Sequence, residues 1–189
     1  MKLRTLFPVL TALIPTFIAN GDNITINLTI DGSSQQMLSG QTTDVLRYSA
    51  TLEAGPASTL TEIQNSYLGP IISVHTGDSV LVHAQNNMAN ETTVHWHGLD
   101  ITEEADGHPK DAFGPNESYD YEFIVRNRAG TYWYHPHPDM MTGEQVYKGL
   151  ASFFIVHDDA EEALALPSGE FDLPICIQDA DFDQDNQLV

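Results

Sequence analysis

The sequence contains very little cysteine and very little positive charge. Its 189 residues include one cysteine, Cys176, which excludes an internal disulfide and a cysteine-rich zinc module. Seven Lys and Arg residues stand against 27 Asp and Glu residues, so the formal net charge is -20. Binding to nucleic-acid phosphates needs a basic face, so no nucleic-acid partner is expected. Anionic membrane surfaces are disfavoured for the same reason.

Long hydrophobic runs are also scarce. An apolar run over residues 6–19 follows Lys2 and Arg4, a pattern typical of a secretory signal. We expect residues 1–20 to be a signal peptide or an extended N-terminal segment, and the protein to be secreted or periplasmic. The run is too short for a confident membrane span, so no membrane partner is expected.

The sequence also has no long amphipathic helical pattern, and β-strand patterns are present instead. Apolar and polar residues alternate with period two in short segments that turn residues separate. This pattern predicts an all-β fold, a Greek-key β-sandwich. Residues 32–66 are predicted to be loops with at most one short strand, and residues 142–148 and 159–164 short helices. The predicted strands are residues 22–31, 71–75, 79–85, 92–99, 118–125, 131–135 and 149–157.

The last part of the chain has a different character. Residues 173–178 form an apolar run that predicts a buried strand, with Cys176 as a buried structural thiol. An acidic turn follows this run. We expect residues 21–158 to form one domain. We expect residues 159–189 to be a linker and the first strand of a missing second domain, which makes the chain a fragment.

Histidine is the chemistry-bearing residue that is abundant. Two H-x-H triplets occur, at residues 95–97 and 135–137. Residues i and i+2 of a strand share a face, so each triplet can present two imidazoles on one side, while Trp96 points into packing. Two such strands side by side would gather four imidazoles, a donor set for copper, zinc, iron or nickel. The predicted metal ligands are His95, His97, His135 and His137.

The other histidines have weaker contexts. His75 and His83 flank a turn and are expected to be exposed, and His157 ends a strand. His108 lies in an Asp-Gly-His-Pro turn, where we expect it near the metal site without binding the ion. The two methionines that follow the second triplet are expected to fill gaps or lie at the surface.

Longer motifs surround both triplets. TTVHWHGL (92–99), DGHP (106–109) and GTYWYHPH (130–137) resemble the first cupredoxin domain of the multicopper oxidases, the family that includes laccases, bilirubin oxidases and copper-efflux oxidases. The resemblance covers about two thirds of the chain and implies a cupredoxin-like (plastocyanin-like) fold. It also implies a copper-dependent oxidoreductase that reduces O2 to water while oxidising phenolic, tetrapyrrole or cuprous substrates.

The resemblance assigns roles to particular residues. It implies that His95 binds the type 2 copper of a trinuclear cluster, and that His97, His135 and His137 bind the type 3 pair. Asp106 matches an acid that delivers protons during O2 reduction. The other cluster ligands would come from missing C-terminal cupredoxin domains or a second subunit.

One departure limits what this chain can do by itself. No His-Cys-His motif is present, so the type 1 copper site is absent from the chain, and the fragment alone is expected to be inactive. An alternative is a non-enzymatic copper-binding cupredoxin module. A third reading is a zinc hydrolytic site with three or four imidazole ligands, for which Asp106 is the one credible general base.

Overall fold

The computed structural model describes residues 21–189; the predicted signal segment, residues 1–20, lies outside them. In the described part, nine strands form two sheets around one apolar core. The strands are β1 (Asn23–Gln35), β2 (Thr43–Ala54), β3 (Leu60–Thr61), β4 (Ile71–His75), β5 (Ser79–Asn86), β6 (His95–His97), β7 (Ser118–Ile124), β8 (Gly130–His135) and β9 (Ser152–His157). The expected all-β sandwich is confirmed.

The two sheets have the strand orders β2-β1-β5-β7 and β3-β4-β9-β8-β6. Strand β1 runs parallel to β5 and β4 runs parallel to β9, while the other neighbours are antiparallel. Alternation places one face of each strand in the core. In β1, for instance, the residues at every second position from Ile24 to Ile30 are buried, and those between them face outward.

Helices are few and short in the described residues. They are α1 (Thr142–Tyr147) and α2 (Asp159–Glu162), which confirms both predicted helices, with 3-10 turns at Ala57–Thr59, Glu103–Ala105, Pro109–Asp111 and Gly169–Phe171. No helix in residues 21–189 has the length and apolar character needed to cross a membrane.

The prediction that residues 32–66 are loops with at most one short strand is wrong, because the strands there are longer and more numerous. Strand β1 continues to Gln35, and β2 is a strand of 12 residues that pairs antiparallel with β1 over its length. Because β2 is at the edge of its sheet, its fully buried residues are limited to Thr43, Val45 and Tyr48. A strand with so few buried positions can be polar in sequence and still be held by main-chain hydrogen bonds.

The predicted strands at 71–75 and 79–85 are confirmed, but they belong to different sheets. The turn at residues 76–78 crosses from one sheet to the other. The buried carboxylate of Asp78 fixes this crossing because it accepts the backbone N–H of His75 at 2.7 Å and that of Asp22 at 2.8 Å. The turn therefore helps to set the distance between the sheets.

The prediction of a buried strand at residues 173–178 is wrong, and so is the prediction of a buried thiol. The segment forms no strand, Ile177 is 92% exposed, and Cys176 is exposed. An apolar run can become a strand only where a neighbouring strand accepts its hydrogen bonds. In the described residues the segment is fastened instead by side chains, as where Tyr67 Oη donates to Gln178 Oε1 at 2.9 Å.

Candidate metal centre

The first histidine triplet forms β6 at one edge of the five-stranded sheet, and the second triplet begins at the last residue of the neighbouring strand β8. The predicted strand at 92–99 is shorter than expected, with β6 limited to His95–His97. It pairs antiparallel with β8, and the register sets His95 directly opposite His135 and Trp96 opposite Tyr134. This pairing brings imidazoles from two chain segments onto one face.

Three of the four predicted ligands converge closely. Ligand nitrogens of His95, His97 and His135 all lie within 4.8 Å of one another. His137 follows β8, and its ring centroid is 5.5 Å from that of His95 and 6.1 Å from that of His135. The arrangement is thus a compact group of three imidazoles with the fourth beside it.

Backbone carbonyls fix the protonation of two of these rings. A carbonyl oxygen can only accept a hydrogen bond, so His95 Nδ1 donates to Asp106 O at 2.7 Å and His135 Nδ1 donates to Pro136 O at 2.9 Å. The lone pair of each ring is therefore on Nε2, the nitrogen that can bind a metal ion; in His135 it accepts a hydrogen bond from His97 Nδ1 at 3.1 Å. Hydrogen bonds of this kind orient histidine ligands and raise their basicity.

Burial keeps His135 in the form that binds metals. The residue is 5% exposed. Its burial, together with the neighbouring imidazoles of His95, His97 and His137, lowers its pKa to about 4. His135 is consequently neutral at pH 7, and a neutral imidazole is the form that coordinates a metal ion.

Trp96 anchors β6 from the core side. Its side chain is fully buried, as the alternation of the triplet predicts, and its ring lies 5.4 to 5.8 Å from four aromatic rings. Those rings belong to Tyr121, Phe123, Tyr134 and Phe154. The anchor limits movement of the two histidines that flank it.

Residues that the sequence analysis did not single out also support the site. Thr93 Oγ1, fully buried, accepts the backbone N–H of His137 at 2.7 Å. Trp133 packs against two cluster rings, with centroids 4.0 Å from His135 and 5.1 Å from His97. The available signal was their position, because Thr93 lies two residues before the first triplet and Trp133 lies two residues before the second.

The turn that carries Asp106 approaches β6 closely. The carboxylate Oδ2 of Asp106 lies 3.5 Å from His95 Nδ1, beside the carbonyl contact of the same residue. Gly107 makes this approach feasible, since a Cβ there would lie 2.0 Å from Val94 O, and its φ of +74° suits glycine. Asp106 is therefore held against His95 by backbone geometry.

The remaining histidines lie outside this group. His108 is exposed, and its Nδ1 accepts the backbone N–H of Lys110 at 3.2 Å. His83 pairs with Asp120 at 2.7 Å on the other sheet. His75 is exposed and His157 is half-buried, at the ends of β4 and β9. Met140 is exposed and Met141 precedes α1, as expected for residues at the surface or in packing.

The donor set suits copper. Neutral imidazole nitrogen binds copper, zinc, nickel and iron. An ion about 2 Å from each of two imidazole nitrogens separates those nitrogens by roughly 3 to 4 Å. The gap between His97 Nδ1 and His135 Nε2 is 3.1 Å, which lies in that range.

Comparison with known proteins identifies the family of this chain. A family model described as multicopper oxidase matches residues 44–161, more than half of the chain. The chain therefore belongs to the multicopper oxidase family. The cupredoxin-like fold and the resemblance stated from the motifs are both confirmed.

Individual relatives agree with this assignment. The chain is 41% identical to "Multicopper oxidase mco" of Staphylococcus aureus over 115 residues, 61% of this chain and 26% of that protein. It is 32% identical to "Cell division protein FtsP" of Escherichia coli over 131 residues, 68% of this chain and 28% of that protein. The crystal structure of McoA multicopper oxidase from Aquifex aeolicus superposes with a TM-score of 0.75 at 35% identity, covering 90% of this chain and 35% of that one. The chain spans about a quarter of the length of these curated relatives.

Proposed function

We propose that residues 21–158 form the first cupredoxin domain of a multicopper oxidase and supply half of its trinuclear copper cluster. In this proposal His95 binds the type 2 copper, and His97, His135 and His137 bind the type 3 pair. Further cupredoxin domains or a second subunit supply the other ligands. The observation that supports it most directly is the convergence of three imidazoles within 4.8 Å, on the two triplets that carry the family resemblance.

Copper, when bound, supplies the one-electron steps that couple oxidation of a reductant to reduction of O2 to water. The chain's own part is to hold and orient nitrogen ligands. The carbonyls of Asp106 and Pro136 fix the rings of His95 and His135, and Trp133 covers one side of the cluster. Residues that preset ligand geometry reduce the reorganisation needed during the reaction.

Asp106 is proposed to move protons. Its side chain is 37% exposed, so it contacts solvent, and its Oδ2 lies 3.5 Å from His95 Nδ1. A carboxylate that touches both water and the site can carry protons from one to the other as a general acid and base. Asp106→Asn removes the carboxylate while keeping its shape and backbone carbonyl. We expect slower O2 reduction by the complete enzyme with its copper content unchanged.

In this proposal, the part of the enzyme that selects the reductant lies outside this chain. Substrate choice belongs to the type 1 copper, and the sequence contains no His-Cys-His motif to hold one. Phenolic, tetrapyrrole and cuprous substrates therefore all remain candidates. The pattern of residues 1–20 supports a secreted or periplasmic location.

The proposal is tested in two steps. Cu²⁺ affinity of the 189-residue chain is measured by competition with a chromophoric chelator, for the wild type, His97→Ala and His83→Ala. We expect His97→Ala to weaken binding at least tenfold, while His83→Ala, a histidine on the other sheet, leaves the affinity unchanged. In the complete gene product, O2 uptake with a phenolic reductant should be lost in His97→Ala. Uptake that survives this substitution contradicts the proposal.

A non-enzymatic copper-binding module is the second candidate. It is favoured by one relative, FtsP, whose name describes a cell division protein and not an oxidase. The two candidates share copper binding and differ in turnover. Tight copper binding by the complete gene product, without O2 uptake from phenolic, tetrapyrrole or cuprous reductants, supports the module and contradicts the oxidase.

A further inference from the structure

Two histidines that are distant in the sequence meet at the other end of the five-stranded sheet. Strands β4 and β9 are parallel, and their register pairs His75 with His157. The preceding residue of β9, Val156, pairs with Gly130 at the start of β8, whereas the metal-centre ligand His135 is at its end. The pair therefore lies apart from the group described above.

The spacing of this second pair matches that of the first group. The ring centroids of His75 and His157 are 5.4 Å apart. Neighbouring rings of the four-histidine group are separated by 5.2 to 6.1 Å. Parallel pairing at the ends of two strands thus places two imidazoles as close together as neighbouring rings of the four-histidine group.

Helix α2 brings carboxylates to both imidazoles. His75 Nε2 lies 3.0 Å from Glu162 Oε1, and His157 Nδ1 lies 3.2 Å from Glu161 Oε2. Asp158 fixes the start of the helix, because its Oδ1 accepts the N–H of Glu161 at 2.7 Å. The helix is therefore positioned to present its carboxylates to the strand ends.

These groups border a polar cavity. A cavity of about 410 Å³ is lined by His75, His157 and Glu162 together with Asp22 and Asp78. Carboxylates around such a cavity raise the local concentration of cations, and the chain's net charge of -20 acts in the same direction. The cavity therefore favours a positively charged occupant.

We propose that His75, His157 and Glu162 form a second site for a divalent transition-metal ion, separate from the four-histidine group. Two imidazoles and one carboxylate are a donor set for Zn²⁺ or Cu²⁺. Two ligand atoms each about 2 Å from a tetrahedral ion are roughly 3.3 Å apart. The distance of 3.0 Å between His75 Nε2 and Glu162 Oε1 is close to that value.

Rotation of side chains completes the site. Among residues 21–189, His95, His97 and His135 are the one group of three whose ligand atoms already all lie within 4.8 Å of one another. The side chains of His75 and Glu162 are 55% and 59% exposed, so both can turn toward an ion without disturbing the core. The bound ion ties together β4, β9 and α2, and it stabilises the fold in proportion to the logarithm of its concentration.

Zn²⁺ binding to the 189-residue chain tests the proposal by stoichiometry. Equilibrium dialysis compares the wild type with a variant that carries both His75→Ala and His157→Ala. We expect the variant to bind one Zn²⁺ fewer. The control is His83→Ala, which removes an imidazole that contacts Asp120. This substitution should leave the number of bound Zn²⁺ ions unchanged. His97→Ala should retain the ion lost by the double variant, so this result is independent of the copper proposal.

A second measurement uses the wild type alone. Diethyl pyrocarbonate modifies accessible histidines, and mass spectrometry locates each modified residue. We expect Zn²⁺ to slow modification of His75 and His157 at least fivefold while His83 reacts at the same rate. Equal rates for His75 and His157 with and without Zn²⁺, or an unchanged Zn²⁺ count in the double variant, would overturn the proposal. The His–Glu contacts would then be hydrogen bonds only.

Discussion

Gly107→Ala is the substitution that most directly tests how the backbone supports the metal centre. The added Cβ would lie 2.0 Å from Val94 O, 2.5 Å from Val94 C and 2.8 Å from His95 N. These are backbone atoms of the segment leading into β6, so no side-chain rotation can relieve the contact. The turn has to move away from β6 by about 1 Å or more.

Two effects determine how far Gly107→Ala lowers the free energy of unfolding. Holding a residue with a Cβ at the φ of +74° costs about 1–2 kcal/mol. Overpacking against fixed atoms adds about 1–3 kcal/mol. We expect the free energy of unfolding to fall by about 3 kcal/mol. Because the moved turn also carries the carbonyl that orients His95, we expect Cu²⁺ affinity to fall by about 10- to 100-fold.

Urea unfolding and chelator competition measure the two effects, and Gly143→Ala is the matched control. Gly143 lies in α1 with no atom within 4 Å of its Cβ position. Alanine there should leave Cu²⁺ affinity unchanged and raise stability by up to about 1 kcal/mol. If Gly107→Ala matched the wild type in both stability and affinity, the proposed support of His95 by this turn would be refuted.

Three further predictions concern the same region. Trp96→Ala should lower the free energy of unfolding by about 3–5 kcal/mol in urea, because it empties the centre of an aromatic cluster; a loss below 1 kcal/mol would contradict the anchor. Thr93→Val should cost about 1–3 kcal/mol in the same assay by leaving the N–H of His137 without its acceptor; Thr93→Ser, which retains an acceptor, should recover part of the loss. Without metal, acidification should destabilise the fold, because the unfolded chain binds a proton at His135 from about pH 6.5 downward whereas the folded chain binds it near pH 4. From pH 7 to pH 4 the free energy of unfolding of the wild type should therefore fall by roughly 3 kcal/mol more than that of His135→Gln. An equal fall in the two proteins would contradict this prediction.

The sequence was most informative where period-two alternation and chemistry coincided. The H-x-H triplets allow two imidazoles on one face only if the middle residue turns inward, and Trp96 does so. That His95 lies opposite His135 depends on strand pairing, which alternation within a single strand cannot specify. The pairing of His75 with His157 was unpredicted for the same reason, since it arises from a parallel register between segments that are far apart in the chain.

Both errors in the strand predictions arise because the structure of a segment depends on the segments that surround it. The full length of strand β2 was not predicted because an edge strand needs few buried residues and β1 supplies its hydrogen bonds. Residues 173–178 were predicted as a strand because their apolar run resembles one, yet Ile177 is exposed and the segment pairs with no strand in the described residues. Local composition reports the tendency of a segment, and neighbouring segments decide the outcome.

The most direct test of the central claim is anomalous diffraction at the copper edge from crystals of the copper-loaded complete gene product. The account predicts anomalous peaks from copper ions about 2 Å from the imidazole nitrogens of His95, His97, His135 and His137. Copper peaks elsewhere in the crystal with all four rings free of metal would contradict it.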